Sequence, residues 1–261
     1  MSRTAVVTGG GSGIGEACVR VLARQGWRVI VTDIDQAAAA RIAAEIGTDH
    51  LVLDVADETQ IQTVADECER RFGPITGLVN SAGILQPPLA PEQLPCDLFD
   101  RVLRVNFRGT YLTSVAFGRA MTARGHGAIV AIGSITATRA APLHAYAPSK
   151  AAVLNMVQCL AAEWARSGVR VNAVSPGYVR TPALLAAIRS GERDEEKLSG
   201  AAAMGRMVEP SEVAEVVSFL LSDAASAITG VNLPVDAGWL VGAHSVTYGG
   251  VPVLADTMEQ A

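Results

Sequence analysis

The chain has 261 residues, of which 49% are hydrophobic, 18% charged and 5% aromatic. That length and apolarity exclude disorder and allow a sizeable core without disulfides or metals. A net charge of −5 argues against nucleic acid or an anionic membrane as partner, since both call for a basic face.

Short β-branched runs alternate with longer helical patterns. Strands are expected at residues 5–7, 28–31, 51–53, 77–79, 128–132, 169–174 and 231–235. The clearest helix between them carries Ile61, Val64, Ala65, Cys68 and Phe72 on one face. Strict alternation, with strands apolar on both faces, predicts a parallel sheet covered by helices on both sides. The last run contains Pro234, which is tolerable only in an edge strand. No composition break divides the chain, so a single domain over 1–261 is expected. Residues 183–207, rich in Ala, Gly and charge, are read as a lid over the carboxyl edge of the sheet, and residues 241–261 as a C-terminal extension in which Thr247-Tyr248-Gly249-Gly250 has a structured look.

Cys18, Cys68, Cys96 and Cys159 form no CxxC pair and have no histidine at metal-ligand spacing, so no metal is expected. Cys18, Cys68 and Cys159 lie in helix patterns and are expected as small buried hydrophobes. No apolar run reaches about 18 residues, and the first residues pass straight into a strand. A cytoplasmic protein is therefore expected, with no membrane partner. Lysine is scarce: Lys150 and Lys197 are the only two.

The run Thr8-Gly9-Gly10-Gly11-Ser12-Gly13-Ile14-Gly15 follows the first strand and opens the first helix. Glycines let backbone approach a pyrophosphate, and a helix N-terminus offers free N–H groups and a positive dipole end, so this context points to a dinucleotide. Asp33 ends the second strand, where a carboxylate can accept from adenosine ribose hydroxyls. It would also repel a 2′-phosphate, by on the order of 4 kcal/mol at 4 Å and an effective ε of 20. NAD is the expected cofactor. Tyr146 and Lys150 stand one helical turn apart, so the two side chains lie one above the other. A lysine ammonium and a cationic nicotinamide both favour a phenolate, which would let Tyr146 act as general base or acid.

The glycine run, Asn80-Ser81-Ala82-Gly83, Tyr146-Ala147-Pro148-Ser149-Lys150 and Ser175-Pro176-Gly177-Tyr178-Val179-Arg180-Thr181 occur in this order and spacing. In this the chain resembles the short-chain dehydrogenases/reductases, from about residue 3 to residue 240. The resemblance implies a Rossmann fold with a doubly wound parallel sheet of about seven strands. It implies a catalytic set of Asn106, Ser134, Tyr146 and Lys150, with Ser134 orienting the substrate oxygen and Asn106 supporting a proton relay. It implies cofactor contacts at Gly9, Ser12, Gly13, Ile14, Asp33, Asp54, Val55, Asn80, Gly83, Tyr146, Lys150, Pro176, Gly177, Val179 and Thr181.

Two departures stand out: Ser81 replaces the more usual Asn, and the gap from Ser134 to Tyr146 is one residue shorter than is common. Gln86, His144, Tyr178 and Arg180 are the candidate substrate contacts. The paucity of aromatics favours a polyol, sugar or small hydroxy compound over a polycyclic one. The family also implies a homotetramer. The expected activity is an NAD-dependent secondary-alcohol dehydrogenase. The alternatives are an NADPH-dependent ketone or 3-oxoacyl reductase, and a non-catalytic NAD-binding scaffold.

Overall fold

The computed structural model describes residues 3–243. Seven parallel strands form one sheet in the order β3-β2-β1-β4-β5-β6-β7: β1 Thr4–Thr8, β2 Arg28–Asp33, β3 Asp49–Val52, β4 Gly77–Asn80, β5 Gly127–Ile132, β6 Val169–Pro176 and β7 Asn232–Val235. The order reverses between β1 and β4, and ligands of such sheets bind at the carboxyl ends beside that switch point. β3 begins two residues earlier than the sequence pattern suggests, and Leu53, just after it, is buried. β7 is an edge strand, so Pro234 removes a donor only from the sheet's open side.

Side-chain alternation along each strand feeds two cores. On one face Ala5, Val7, Val130 and Val174 meet Val19 and Leu22 of α1 (Gly13–Arg24), Ile42 of α2 (Gln36–Ile46), and Val217 and Leu220 of a helix over Pro210–Leu221. On the other, Val6, Ile129 and Ala173 meet Ile61, Val64 and Cys68 of α3 (Glu58–Phe72). That face is completed by Phe117 and Met121 of a helix over Thr110–Arg124, and by Val153 and Val157 of a helix over Tyr146–Trp164. Each fully buried Val, Leu, Ile, Phe or Met side chain contributes about 1.5–3 kcal/mol.

Cys18 and Cys68 are buried as expected, and burial pushes both thiols up to about 12. Cys159 is exposed, contrary to expectation: the sheet-facing side of its helix is Val153, Val157, Leu160 and Ala161, and residue 159 points away from it. Cys96 opens α4 (Cys96–Leu103) and is exposed. α4 runs through a π-helical turn, Arg104–Gly109, into α5 (Thr110–Arg124); α6 is Tyr146–Trp164. Over residues 183–207 the chain forms two short helices, α7 (Pro182–Arg189) and α8 (Glu195–Gly200), and returns through a parallel bridge between Val179 and Val208 to α9 (Pro210–Leu221). α10 (Trp239–Gly242) follows β7. The Thr247–Gly250 stretch lies outside the described residues. Among the described residues no helix is long and apolar enough to cross a membrane, and no cluster of His, Cys, Asp and Glu is placed to hold a metal.

Candidate active site

The loop after β1 is shaped for close backbone approach. A Cβ on Gly15 would stand 1.9 Å from the Gly9 carbonyl oxygen, and one on Gly9, itself at φ +65, 2.8 Å from Ala82 Cα. Ser12 stands at the N-cap of α1 without a side-chain capping bond, which leaves that helix end free for an anion. The β4 loop is tied to β1 by Thr8, whose Oγ1 accepts the N–H groups of Ser81 (3.1 Å) and Ala82 (3.2 Å). Ser81 thus serves the turn through its backbone. Thr8 was not singled out in the sequence, although it flanks the glycine run.

Asp33 is held at the rim of this loop, its carboxylate accepting from Gly11 N–H (2.9 Å) and Asp35 N–H (3.0 Å). Asp35, not Asp33, caps α2. Ile34, beside Asp33, is 67% exposed. Asp54 accepts from Ala56 N–H, and Val55 is buried against Gly109 of the π turn. Asn80 turns its side chain to α5, donating to Ser114 Oγ (2.9 Å) and accepting from Thr113 Oγ1 (2.6 Å), so it braces the sheet. Across the switch point Thr181, which caps α7, brings its methyl to 3.5 Å from where Gly13 would carry a Cβ. Pro176 ends β6, Gly177 donates to Val235, and Val179 pairs with Val208. An uncapped helix end, a backbone cradle with no room for side chains and a rim carboxylate fit a dinucleotide.

The second half of the site gathers at the end of β5 and the start of α6. Lys150 is 5% exposed; it donates to the Ile132 carbonyl (2.7 Å), and its nitrogen lies 5.7 Å from the centre of the Tyr146 ring. Burial lowers the Lys150 ammonium to about 8. The Tyr146 phenol is pushed up by burial, against a smaller downward pull from a side-chain hydrogen bond with Ser134. The expected lowering calls on Lys150 together with a cationic nicotinamide; in the protein alone, desolvation of the phenolate outweighs its partners. Ser134 Oγ also accepts from Thr136 N–H and Oγ1.

Asn106 is fully buried in the π turn, which interrupts the regular helix between α4 and α5. Its Oδ1 accepts from Ile84 N–H (2.8 Å), and its Nδ2 donates to the Ile84 carbonyl (3.0 Å) and to Ser149 Oγ (3.3 Å). Ser149 in turn donates to the Tyr146 carbonyl. A Cβ on Gly83 would lie 3.3 Å from Asn106 Oδ1 and 3.8 Å from Lys150 Nζ, which places the Asn80–Gly83 loop against the same cluster.

The four candidate substrate residues separate. His144 is half-buried in the loop before Tyr146. Tyr178 packs edge to face on Trp239 of α10 (5.9 Å, 73°). Arg180 is committed to ion pairs with Glu195 of α8 and with Glu209 at the α9 cap (3.5 Å). Gln86 is 4% exposed, and its Oε1 is spent on the first backbone N–H groups of α6.

A family model described as enoyl-(acyl carrier protein) reductase matches residues 9–240. The galactitol 2-dehydrogenase (L-tagatose-forming) of Cereibacter sphaeroides is 44% identical over 245 residues, covering 91% of this chain and 94% of that one. A solved structure described as ribose-5-phosphate isomerase from Brucella melitensis 16M is 48% identical with a TM-score of 0.94, covering 97% of this chain and 98% of that chain. ElxO with NADP bound is 30% identical with a TM-score of 0.88, covering 92% of this chain and 99% of the other.

Proposed function

From the premise that the chain belongs to the short-chain dehydrogenase/reductase family of oxidoreductases, we propose that it interconverts a secondary alcohol and a ketone with NAD. The proposed substrate is a polyol, sugar or other small hydroxy compound. One observation carries the reading: a buried lysine, a half-buried tyrosine and a buried serine hydroxyl converge where β5 ends and α6 begins, beside a dinucleotide-shaped loop. The whole chain serves as one dinucleotide-binding and catalytic domain.

Bound in the cradle formed by the β1 and β4 loops and Thr181, the nicotinamide cofactor supplies the acceptor or donor for hydride at the carbinol carbon. Ser134 orients the substrate oxygen by hydrogen bond. Tyr146 removes the hydroxyl proton in oxidation and returns it in reduction. Lys150, held by the Ile132 carbonyl, places positive charge near the phenol and favours the phenolate as it forms. Asn106 pins the β4 loop and α6 to each other and so keeps Lys150 and Tyr146 in register. Asp33 favours NAD: the loop holds its carboxylate where a 2′-phosphate would meet like charge. Similarity to a galactitol 2-dehydrogenase supports a polyol.

The experiment is a panel of polyols, sugars, hydroxy acids and secondary alcohols with NAD⁺ or NADP⁺, read by absorbance of the reduced cofactor. Ribose 5-phosphate belongs in the panel, given the description of the structure at 48% identity. Polyol oxidation with NAD⁺ at least about 100-fold more efficient than with NADP⁺ is expected, the size of a charge conflict of about 3 kcal/mol. Equal use of the two cofactors would refute the assignment to Asp33, and reduction of ketones by NADPH alone would favour the reductase alternative.

A further inference from the structure

The helix that carries Tyr146 and Lys150 begins without a cap of its own. Ala145 stands at its N-cap and offers no side-chain acceptor, yet the first N–H groups of a helix need partners. Gln86, far back in the chain, supplies one: its Oε1 accepts from Ala145 N–H at 2.7 Å and Tyr146 N–H at 3.1 Å. Both partners are donors, so the amide has only one possible orientation, and its Nε2 group is left buried without an acceptor. A buried unpaired donor is costly. A glutamate would accept the same two N–H groups and leave no orphan donor. It would also place a negative charge at the backbone of Tyr146 and oppose the phenolate.

We infer that Gln86 is a positioning residue for Tyr146: a neutral cap, bonded to the backbone of the reacting residue, that sets the phenol's place without raising the cost of its ionisation. The chain of contacts is continuous. Asn106 clamps both backbone groups of Ile84, two residues before Gln86, and Gln86 holds Tyr146. The groups about Tyr146 are Lys150 on its own helix, the Ser134 hydroxyl, neutral Asn106 of the π turn and the half-buried His144 of the preceding loop; Arg104 and Arg108 of the π turn are exposed. The inference rests on Tyr146 being the acid–base group.

Two variants test it. Gln86→Glu keeps the capping oxygens and adds charge, whereas Gln86→Met removes the cap and adds none. Phenolate absorbance against pH, taken as the difference between each chain and the same chain carrying Tyr146→Phe, isolates the Tyr146 titration without any substrate. Gln86→Glu is expected to raise its midpoint by about one pH unit and to shift the alkaline rise of kcat/KM by the same amount, with Tm at or above that of the unmodified chain. Gln86→Met is expected to leave the midpoint within a few tenths of a unit and to lower kcat about tenfold or more, with KM for the cofactor nearly constant.

A Gln86→Glu chain with the original midpoint overturns the electrostatic half of the inference. A Gln86→Met chain with the original kcat overturns the positioning half. If Gln86→Met does not fold, Gln86→Leu takes its place for the positioning half, and Gln86→Glu still decides the electrostatic half through its titration. Failure of the underlying reading looks different: Tyr146→Phe alone would then keep its turnover.

Discussion

The Lys150 ammonium nitrogen, itself buried, stands 5.7 Å from the centre of the half-buried Tyr146 ring, one helical turn along α6. The arrangement carries a cost in stability. Lys150 titrates near 8 in the folded chain against about 10.5 when unfolded. Below pH 8 both states hold the proton, and the folded state bears the whole desolvation cost, on the order of 3 kcal/mol for a shift of this size. Between about 8 and 10.5 the unfolded state holds more protons than the folded one, so this group makes stability rise with pH. Tyr146, pushed up by burial, has the opposite effect, but only above about pH 10, where an unfolded phenol ionises. Lys150→Met should therefore raise the unfolding free energy at pH 7 by about 1–3 kcal/mol and abolish the extra rise between pH 8 and pH 10. Urea unfolding at pH 7 and 9 checks both; a variant less stable than the unmodified chain at pH 7 contradicts the account.

Tyr146→Phe removes one hydroxyl from a site whose other members stay bonded. Ser134 keeps its Thr136 partners, and Lys150 keeps the Ile132 carbonyl. The fold and dinucleotide affinity should hold within about threefold, while kcat falls by about 10³ or more, at the upper part of the range for general acid–base groups. Steady-state kinetics beside cofactor titration separates the two effects.

Asp33 does two things that a substitution can pull apart. Its carboxylate orders the loop through Gly11 N–H and presents negative charge at the rim. Asp33→Asn keeps one carbonyl acceptor and removes the charge. Efficiency with NADP⁺ should rise at least about tenfold as the like-charge penalty is lifted, and efficiency with NAD⁺ should fall severalfold. Arg41, whose Nη2 donates to the Gly11 carbonyl at 3.3 Å, is near enough to aid the new preference. The ratio of kcat/KM values for the two cofactors is the measurement.

The parts of the site that the sequence reveals are those in which one residue type is needed at a fixed step. Glycine where a Cβ would strike the Gly9 carbonyl is one case, and a lysine one turn from a tyrosine is another. Strand alternation was readable for the same reason, because a period of two divides Val6 from Val7 between the two cores. What escaped was partner choice across long sequence distances. Arg180 and Gln86 read equally well as substrate contacts, because a guanidinium or an amide in a loop carries no mark of its acceptor; Glu195 and the start of α6 become their partners only through the fold. Cys159 misled in another way: its helix was legible, but with Val157 and Leu160 on either side, the face on which residue 159 falls turns on a fraction of a turn. Thr8 opens one motif and Ser149 sits inside another, where both look like spacers, and only their hydrogen bonds to the β4 loop and the Tyr146 carbonyl show otherwise.

Arg180 gives the last test, because its two readings part in a double-mutant cycle. As a lid tether it pairs with Glu195 and Glu209 at the surface, where ion pairs add little to global stability. Arg180→Gln should leave Tm within about 1 °C yet let the α7–α8 segment open more readily, raising KM for the alcohol about 3- to 10-fold and speeding proteolysis within residues 183–207. Glu195→Gln should reproduce much of that effect, and the double variant should be little worse than either single one, since both changes break the same pair. A direct substrate contact predicts a different result: Glu195→Gln would be mild, Arg180→Gln severe, and the two effects additive. Additive KM changes with unaltered proteolysis would return Arg180 to the substrate pocket.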